Sequence, residues 1–136
     1  MTIVVGYVPG PRGRAALWRA VDEARLRGYK LVIVTSGAGR GRMDEEGGGS
    51  YEAELARVRH ALEVAAIVHE VRQFVHSYEP ADDLLAVAAE EHADFIVIGV
   101  RRRSPVGKLV LGSTAQRVLL EASCPVLAVK ADRSPA

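Results

Sequence analysis

The residues best suited to chemistry in this chain lie between Phe95 and Val129, FIVIGVRRRSPVGKLVLGSTAQRVLLEASCPVLAV. An apolar run from Phe95 to Ile98 reaches Gly99, and a loop carrying Arg101, Arg102, Arg103, Gly107 and Lys108 follows. Gly112-Ser113-Thr114 then opens a helical pattern that ends in a second apolar run, Val126 to Val129. The order reads strand, basic glycine-containing loop, helix N-terminus, strand. The first amides of a helix have no partner within it and the macrodipole is positive there, so a glycine and two hydroxyls at that point suit an anion, most often a phosphate. The same Gly-Ser-Thr also writes an ordinary N-cap, in which a hydroxyl accepts an orphan N–H, and solvated loops are often basic. Strand and helix context decides between the two.

That context comes from periodicity. Thr2 to Val8 is a β-branched apolar run stopped by Pro9-Gly10-Pro11. From Arg12 to Arg27, apolar residues at 16, 17, 20, 21 and 24 share one helical face, with Gly28 at the stop position. Leu31 to Val34 is a second continuous apolar strand, followed by the turn-prone Ser36-Gly37. Residues 37–49 are glycine-rich, charged and aperiodic, which reads as a mobile loop. Ser50 is placed to cap a second helix with Leu55, Val58, Leu62 and Ala65 at core spacing. Glu70 to Val75 alternates as a half-exposed edge strand does. A third helix starts at Glu79-Pro80 and runs through His92, with Leu84, Leu85, Val87 and Ala88 inward. Phe95 to Ile98 and Val126 to Val129 are continuous apolar runs, hence strands covered on both faces. Five strands alternating with four helices predict an α/β fold, a parallel doubly wound sheet. Ligands in such sheets sit at the carboxyl ends of the strands where strand order reverses. The segment 99–114 leaves one of those ends.

Composition narrows the function classes. At 136 residues the chain is one domain, and a net charge of +1 gives no global attraction to nucleic acid or anionic membrane. The run Arg101 to Arg103 could neutralise only two or three phosphates and has no interleaved aromatic for base stacking, which argues against nucleic acid. Cys124 is the single cysteine, so no intramolecular disulfide is possible; a reducing, cytoplasmic setting and a packed, inert thiol are expected. No apolar stretch approaches the roughly 18 residues of a membrane span, and Thr2 enters a strand pattern at once, so a signal peptide is not expected. His60, His69, His76 and His92 show no metal-ligand spacing with one another or with Cys124. Gly107-Lys108 is not a P-loop, since Leu109 stands where the magnesium-binding hydroxyl belongs. The adjacent carboxylates Asp22/Glu23, Asp44/Glu45/Glu46 and Asp82/Asp83 read as solvated charge, and no general base for turnover is identifiable.

On IVVGYVPG with RAALWRAVDEA, AVAAEEHADFIVIG, LGSTAQRVLLEASCPVLAVK and the strand order, the whole chain resembles the universal stress protein family. The resemblance implies a single Rossmann-like domain of the adenine nucleotide alpha hydrolase-like kind over residues 1–131, strand order 3-2-1-4-5, with 132–136 a short tail. It also implies a homodimer, through the last strand Val126, Leu127, Ala128 and Val129. Nucleotide-binding members carry Gly-x2-Gly-x9-Gly-[Ser/Thr] around the phosphates and ribose of ATP or AMP; here the pattern falls on Gly99, Arg102, Gly112 and Ser113, with Arg101 and Thr114 beside it. Arg102 replaces the second glycine, and its guanidinium either blocks the phosphate or replaces the lost amide contact with a bidentate one. The family's Asp at the end of the first strand is Val8 here, which leaves the nucleoside hydroxyls without their acceptor at a cost of about 1–3 kcal/mol if they stay buried. Backbone near Thr35 and Ser36 remains available to adenine. Two functions follow as expectations: a non-catalytic regulatory module holding an adenine nucleotide or another phosphate-bearing anion, or a dimeric protein-interaction module with an unidentified partner and a degenerate pocket.

Overall fold

The computed structural model of the chain describes residues 1–8, 10–36, 50–77, 79–100 and 111–131. The loop at 37–49, the side chain of Ser50, Arg101, Arg102 and the tail at 132–136 lie outside the described residues. Five strands form one sheet, β1 (Thr2–Tyr7), β2 (Lys30–Ser36), β3 (His69–Phe74), β4 (Phe95–Val100) and β5 (Val126–Lys130). Among the described residues four helices join them, α1 (Pro11–Arg27), α2 (Ser50–Val64), α3 (Pro80–Glu90) and α4 (Ser113–Glu121). The sheet is parallel throughout, in the order β3-β2-β1-β4-β5, with Val4 opposite both Val32 and Ile96 at its centre.

The continuous apolar runs form the middle of the sheet because both its faces are covered. α1 and α2 close one face over Ile3, Val5, Leu31, Ile33 and Val97; α3 and α4 close the other over Val4, Val32, Ile96 and Ile98. The spacing read for α1 holds, since Ala16, Leu17, Ala20, Val21 and Ala24 are all buried. Leu55, Val58 and Leu62 fill the α2 side as their spacing predicts, whereas Ala65 lies beyond the end of the helix. Among the described residues no helix is long and apolar enough to cross a membrane.

Some boundaries move, for physical reasons. β2 extends through Thr35 and Ser36, because pairing with Gln73 and Phe74 outweighs their turn preference. α3 stops at Glu90, and His92 adopts a left-handed conformation (φ 51) on the way into β4. β4 continues through Gly99 and Val100, so Gly99 is a strand residue and does not begin the loop. β5 is not covered on both faces as its apolar run suggests. It is an edge strand, and Ala128 and Lys130 are exposed while Val126, Leu127 and Val129 are half-buried.

Hydropathy did not reveal Glu54, which is buried in α2 yet fully engaged. The indole Nε1 of Trp18 and the guanidinium of Arg57 both donate to its carboxylate. Beside it the Tyr51 hydroxyl donates to Thr35 and accepts from the Gln73 amide. A buried charge is tolerable when its lone pairs are filled this way, and the network fastens α2 to α1, β2 and β3.

The turn from β1 into α1 depends on a glycine. A Cβ on Gly13 would overlap the Val8 carbonyl, standing 2.6 Å from its carbon. Replacing a helical glycine by alanine normally gains up to about 1 kcal/mol. Overlap with backbone costs about 1–3 kcal/mol or more and dominates here. Gly13→Ala is therefore expected to lower the urea midpoint with an unchanged slope, and a midpoint equal to or above that of the parent protein would contradict the close approach.

Candidate functional site

The sheet order reverses between β1 and β4, and at their carboxyl ends the chain encloses a pocket of about 190 Å³. This is the crevice in which an open α/β sheet binds its ligand. Val34, Leu84, Ile98 and Ala115 give it an apolar floor. Its polar groups come from three elements, with Ser36 at the end of β2, Arg12 in the first turn of α1 and Thr114 in the first turn of α4.

The residues singled out from the sequence are partly brought together. Ser36, Gly99, Thr114 and Val8 line the pocket. Gly112 and Ser113 are exposed at the start of α4, where Gly112 is the N-cap. The hydroxyl-capped reading is not realised, because no side chain caps α4 and its first turn holds no acid. α1 likewise begins at Gly10 with neither side-chain cap nor acid in its first turn. The positive ends of two helices therefore meet the pocket without neutralising carboxylates of their own, an arrangement suited to an anion.

The third helix differs. Glu79 accepts a hydrogen bond from the Ala81 amide and Asp82 and Asp83 occupy the first turn of α3. Both aspartates are engaged. Ser36 Oγ donates to Asp83 at 2.8 Å, fixing the end of β2 against α3. Arg117 reaches Asp82 at 2.8 Å and Glu121 at 2.9 Å, fixing α4 against α3. Its hydrogen bonds to Glu121 and Asp82 raise the pKa of an already permanent cation. The pocket walls are thus tied together by polar contacts around its rim.

Sequence reasoning missed Arg12. Its backbone lies directly on Gly99, where a Cβ would stand 2.8 Å from the Arg12 carbonyl carbon. Its Nη1 lies 3.6 Å from where a Cβ on Gly112 would be, beside the N-terminus of α4. Gly99 therefore serves the approach of α1, a role different from the phosphate contact expected of it. The available signal was positional, since Arg12 opens the helix that leaves the carboxyl end of β1.

The model of the Universal stress protein family matches residues 1–130 of this chain. The chain belongs to the universal stress protein family. A universal stress protein of Mycolicibacterium smegmatis is 41% identical over 128 residues, covering 94% of this chain and 96% of that protein. The solved structure of a universal stress protein from Archaeoglobus fulgidus superposes with a TM-score of 0.72 at 37% identity, covering 96% of this chain and 98% of that one. A structure of the universal stress protein from Archaeoglobus fulgidus in complex with dAMP superposes with a TM-score of 0.66 at 32% identity, with the same coverage. The strand order and the four helices among the described residues are those expected of a universal stress protein from the sequence.

A second concavity, of about 460 Å³, lies at the amino ends of β4 and β5 among Leu85, Ala88, His92, Ala93 and Cys124. It is larger and is lined by His92, Glu121 and Ser123 as well as by small apolar side chains, but it lies at the opposite end of the strands from the switch point. Among the described residues no group of three or more His, Cys, Asp or Glu is placed to hold a metal ion. Burial, and secondarily the Asp94 carboxylate, raise the Cys124 pKa above the ordinary thiol value. The thiolate is the disfavoured form, and the folded state loses stability only as pH rises toward that elevated value. At pH 8 iodoacetamide should alkylate Cys124 more slowly in the folded protein than after denaturation in urea; equal rates would place the thiol in an ordinary solvent environment.

Proposed function

We propose that this chain is a regulatory module that binds an adenine nucleotide, ATP or AMP, or another phosphate-bearing anion, and does not turn it over. The observation that carries this reading is the pocket at the β1–β4 switch point, where the uncapped N-termini of α1 and α4, Arg12 and Thr114 converge. Gly112, Ser113, Thr114 and Ser36 are assigned to the phosphate and nucleoside contacts, and Gly99 to the close approach of α1 beside them; Arg101 and Arg102, assigned with them from the sequence, lie outside the described residues. The related protein solved with dAMP supports a nucleotide as the ligand class. Backbone amides can stabilise phosphate charge without any catalytic group, and the sequence offers no general base, which favours holding over hydrolysis. A cytoplasmic location agrees with a single cysteine, Cys124, left as a half-buried free thiol.

Val8 supports the second reading, a protein-interaction module whose nucleotide pocket has degenerated. Native mass spectrometry of protein purified without added nucleotide separates the two, because a co-purified adenylate supports the ligand module and its absence, together with no binding of added ATP or AMP, supports the other. Val8 lines the pocket, so Val8→Asp should tighten AMP binding by about 1–3 kcal/mol through the restored acceptor for nucleoside hydroxyls. Calorimetry giving equal AMP affinity for both proteins would remove Val8 from the account.

The homodimer is proposed through β5. Its edge is unpaired in the single chain, its Val126, Leu127 and Val129 are half-exposed, and Leu120 of α4 is 84% exposed with Leu119 beside it. An apolar strand edge flanked by exposed leucines is a surface that folded proteins cover. Sedimentation at micromolar concentration should report a dimer, reduced to monomer by Leu127→Lys with Leu120→Lys; a monomeric parent protein would end this assignment.

A further inference from the structure

On its β2 and α3 side the switch-point pocket is lined by Val34, Ser36, Pro80 and Leu84. Ser36 is the polar side chain there among the described residues, and a hydroxyl has a single proton to give. That proton is committed. Ser36 Oγ donates at 2.8 Å to the carboxylate of Asp83, in the first turn of α3. The remaining capacity of Oγ consists of lone pairs, so what Ser36 can offer to a ligand is an acceptor. A ligand carbonyl could claim the proton only by breaking a bond to a charged acceptor, and such a bond is roughly twice as strong as a neutral one.

The charge behind Ser36 acts in the same direction. Polarisation by the Asp83 carboxylate makes Oγ a better acceptor. A phosphate brought to this corner would face that carboxylate, and like charges repel more strongly beside apolar walls such as Val34 and Leu84 than in open water. The same walls suit a flat ring. The corner also stands apart from the start of α4, because β1 lies between β2 and β4 and two strand spacings come to roughly 10 Å. One ligand can therefore present an anionic group at one end of the pocket and a neutral donor at the other.

We propose that Asp83 is a positioning residue that fixes Ser36 as a pure acceptor, and that the pair selects an amino group on the ligand's ring over a carbonyl at the β2 end of the pocket. The proposal rests on the nucleotide-module reading above and goes beyond it by naming the ring substituent that is read and the side chains that read it.

Calorimetric titration with AMP and with IMP, in which a carbonyl replaces the amine, tests it on the full chain, on Asp83→Ala and on Ser36→Ala. The full chain should bind AMP about ten-fold or more tightly than IMP, the scale of facing a polar acceptor with a group that cannot donate to it. Asp83→Ala releases the Ser36 proton, so the hydroxyl can turn and donate to the carbonyl of IMP, and the preference should fall to within about three-fold. Ser36→Ala removes the oxygen and should lower the preference in the same way. Circular dichroism establishes that each variant is folded, and the comparison on the full chain needs no variant. A purely structural role of Asp83 would weaken both nucleotides together and keep their ratio, which overturns the positioning role. Equal affinity of the full chain for AMP and IMP overturns the selection and leaves the nucleotide-module reading standing. Failure of the full chain to bind either nucleotide overturns both.

Discussion

The close approach of α1 to the ends of β1 and β4 is the contact on which the site depends. In a parallel sheet whose order reverses at β1, the connection leaving that strand must turn immediately and settle over its neighbour β4. A side chain on either facing position would hold the helix away. Gly13 lets α1 rest on the Val8 carbonyl, and Gly99 lets Arg12 rest on β4. Two missing Cβ atoms thus place the first turn of α1, the start of α4 and the end of β2 around one small volume. The polar contacts Ser36–Asp83 and Arg117–Asp82 then hold the remaining walls against α3.

The same contact changes the meaning of a motif. Read along the chain, Gly99 stands where a glycine admits phosphate to the backbone, because a linear pattern records spacing and not which surface approaches. In three dimensions the side it leaves open is taken by Arg12. Steric permission at a glycine is used once, by whichever group arrives. Here the polypeptide arrives, and it brings a guanidinium with it.

Much of the fold was legible because it follows from local rules. The β-branched runs at Ile3–Val5, Leu31–Val34 and Ile96–Ile98 could only be doubly covered strands, and the 3.6-residue spacing of Ala16, Leu17, Ala20, Val21 and Ala24 fixed the face of α1. The alternation after His69 identified the edge strand β3. Features that depend on neighbours were not legible. Val126 to Val129 read as doubly covered although their neighbour lies on one side only, Glu54 gave no sign of the indole and guanidinium that permit its burial, and strand pairing carried β2 past a turn-prone serine. The site divides along the same line. Ser36, Gly99 and Thr114 were found because strand ends and helix starts are marked in sequence, while Arg12 was missed because its significance comes from where α1 lands.

A helix start attracts phosphate through amides and dipole that exist whatever the side chains are, so that part of such a site survives substitution. Recognition of a nucleoside depends on individual acceptors and donors, and one change at the end of β1 can remove it. Val8 at the end of β1 cannot accept a hydrogen bond through its side chain, whereas Ser36 at the end of β2 can. Moving an acceptor from one strand end to the next changes which part of a ligand is read while leaving the sheet, the helices and the two glycine contacts untouched. Ligand class and fold are therefore separable in this architecture, because the fold is set by apolar strands and close backbone approach and the ligand by the few polar atoms that this approach delivers.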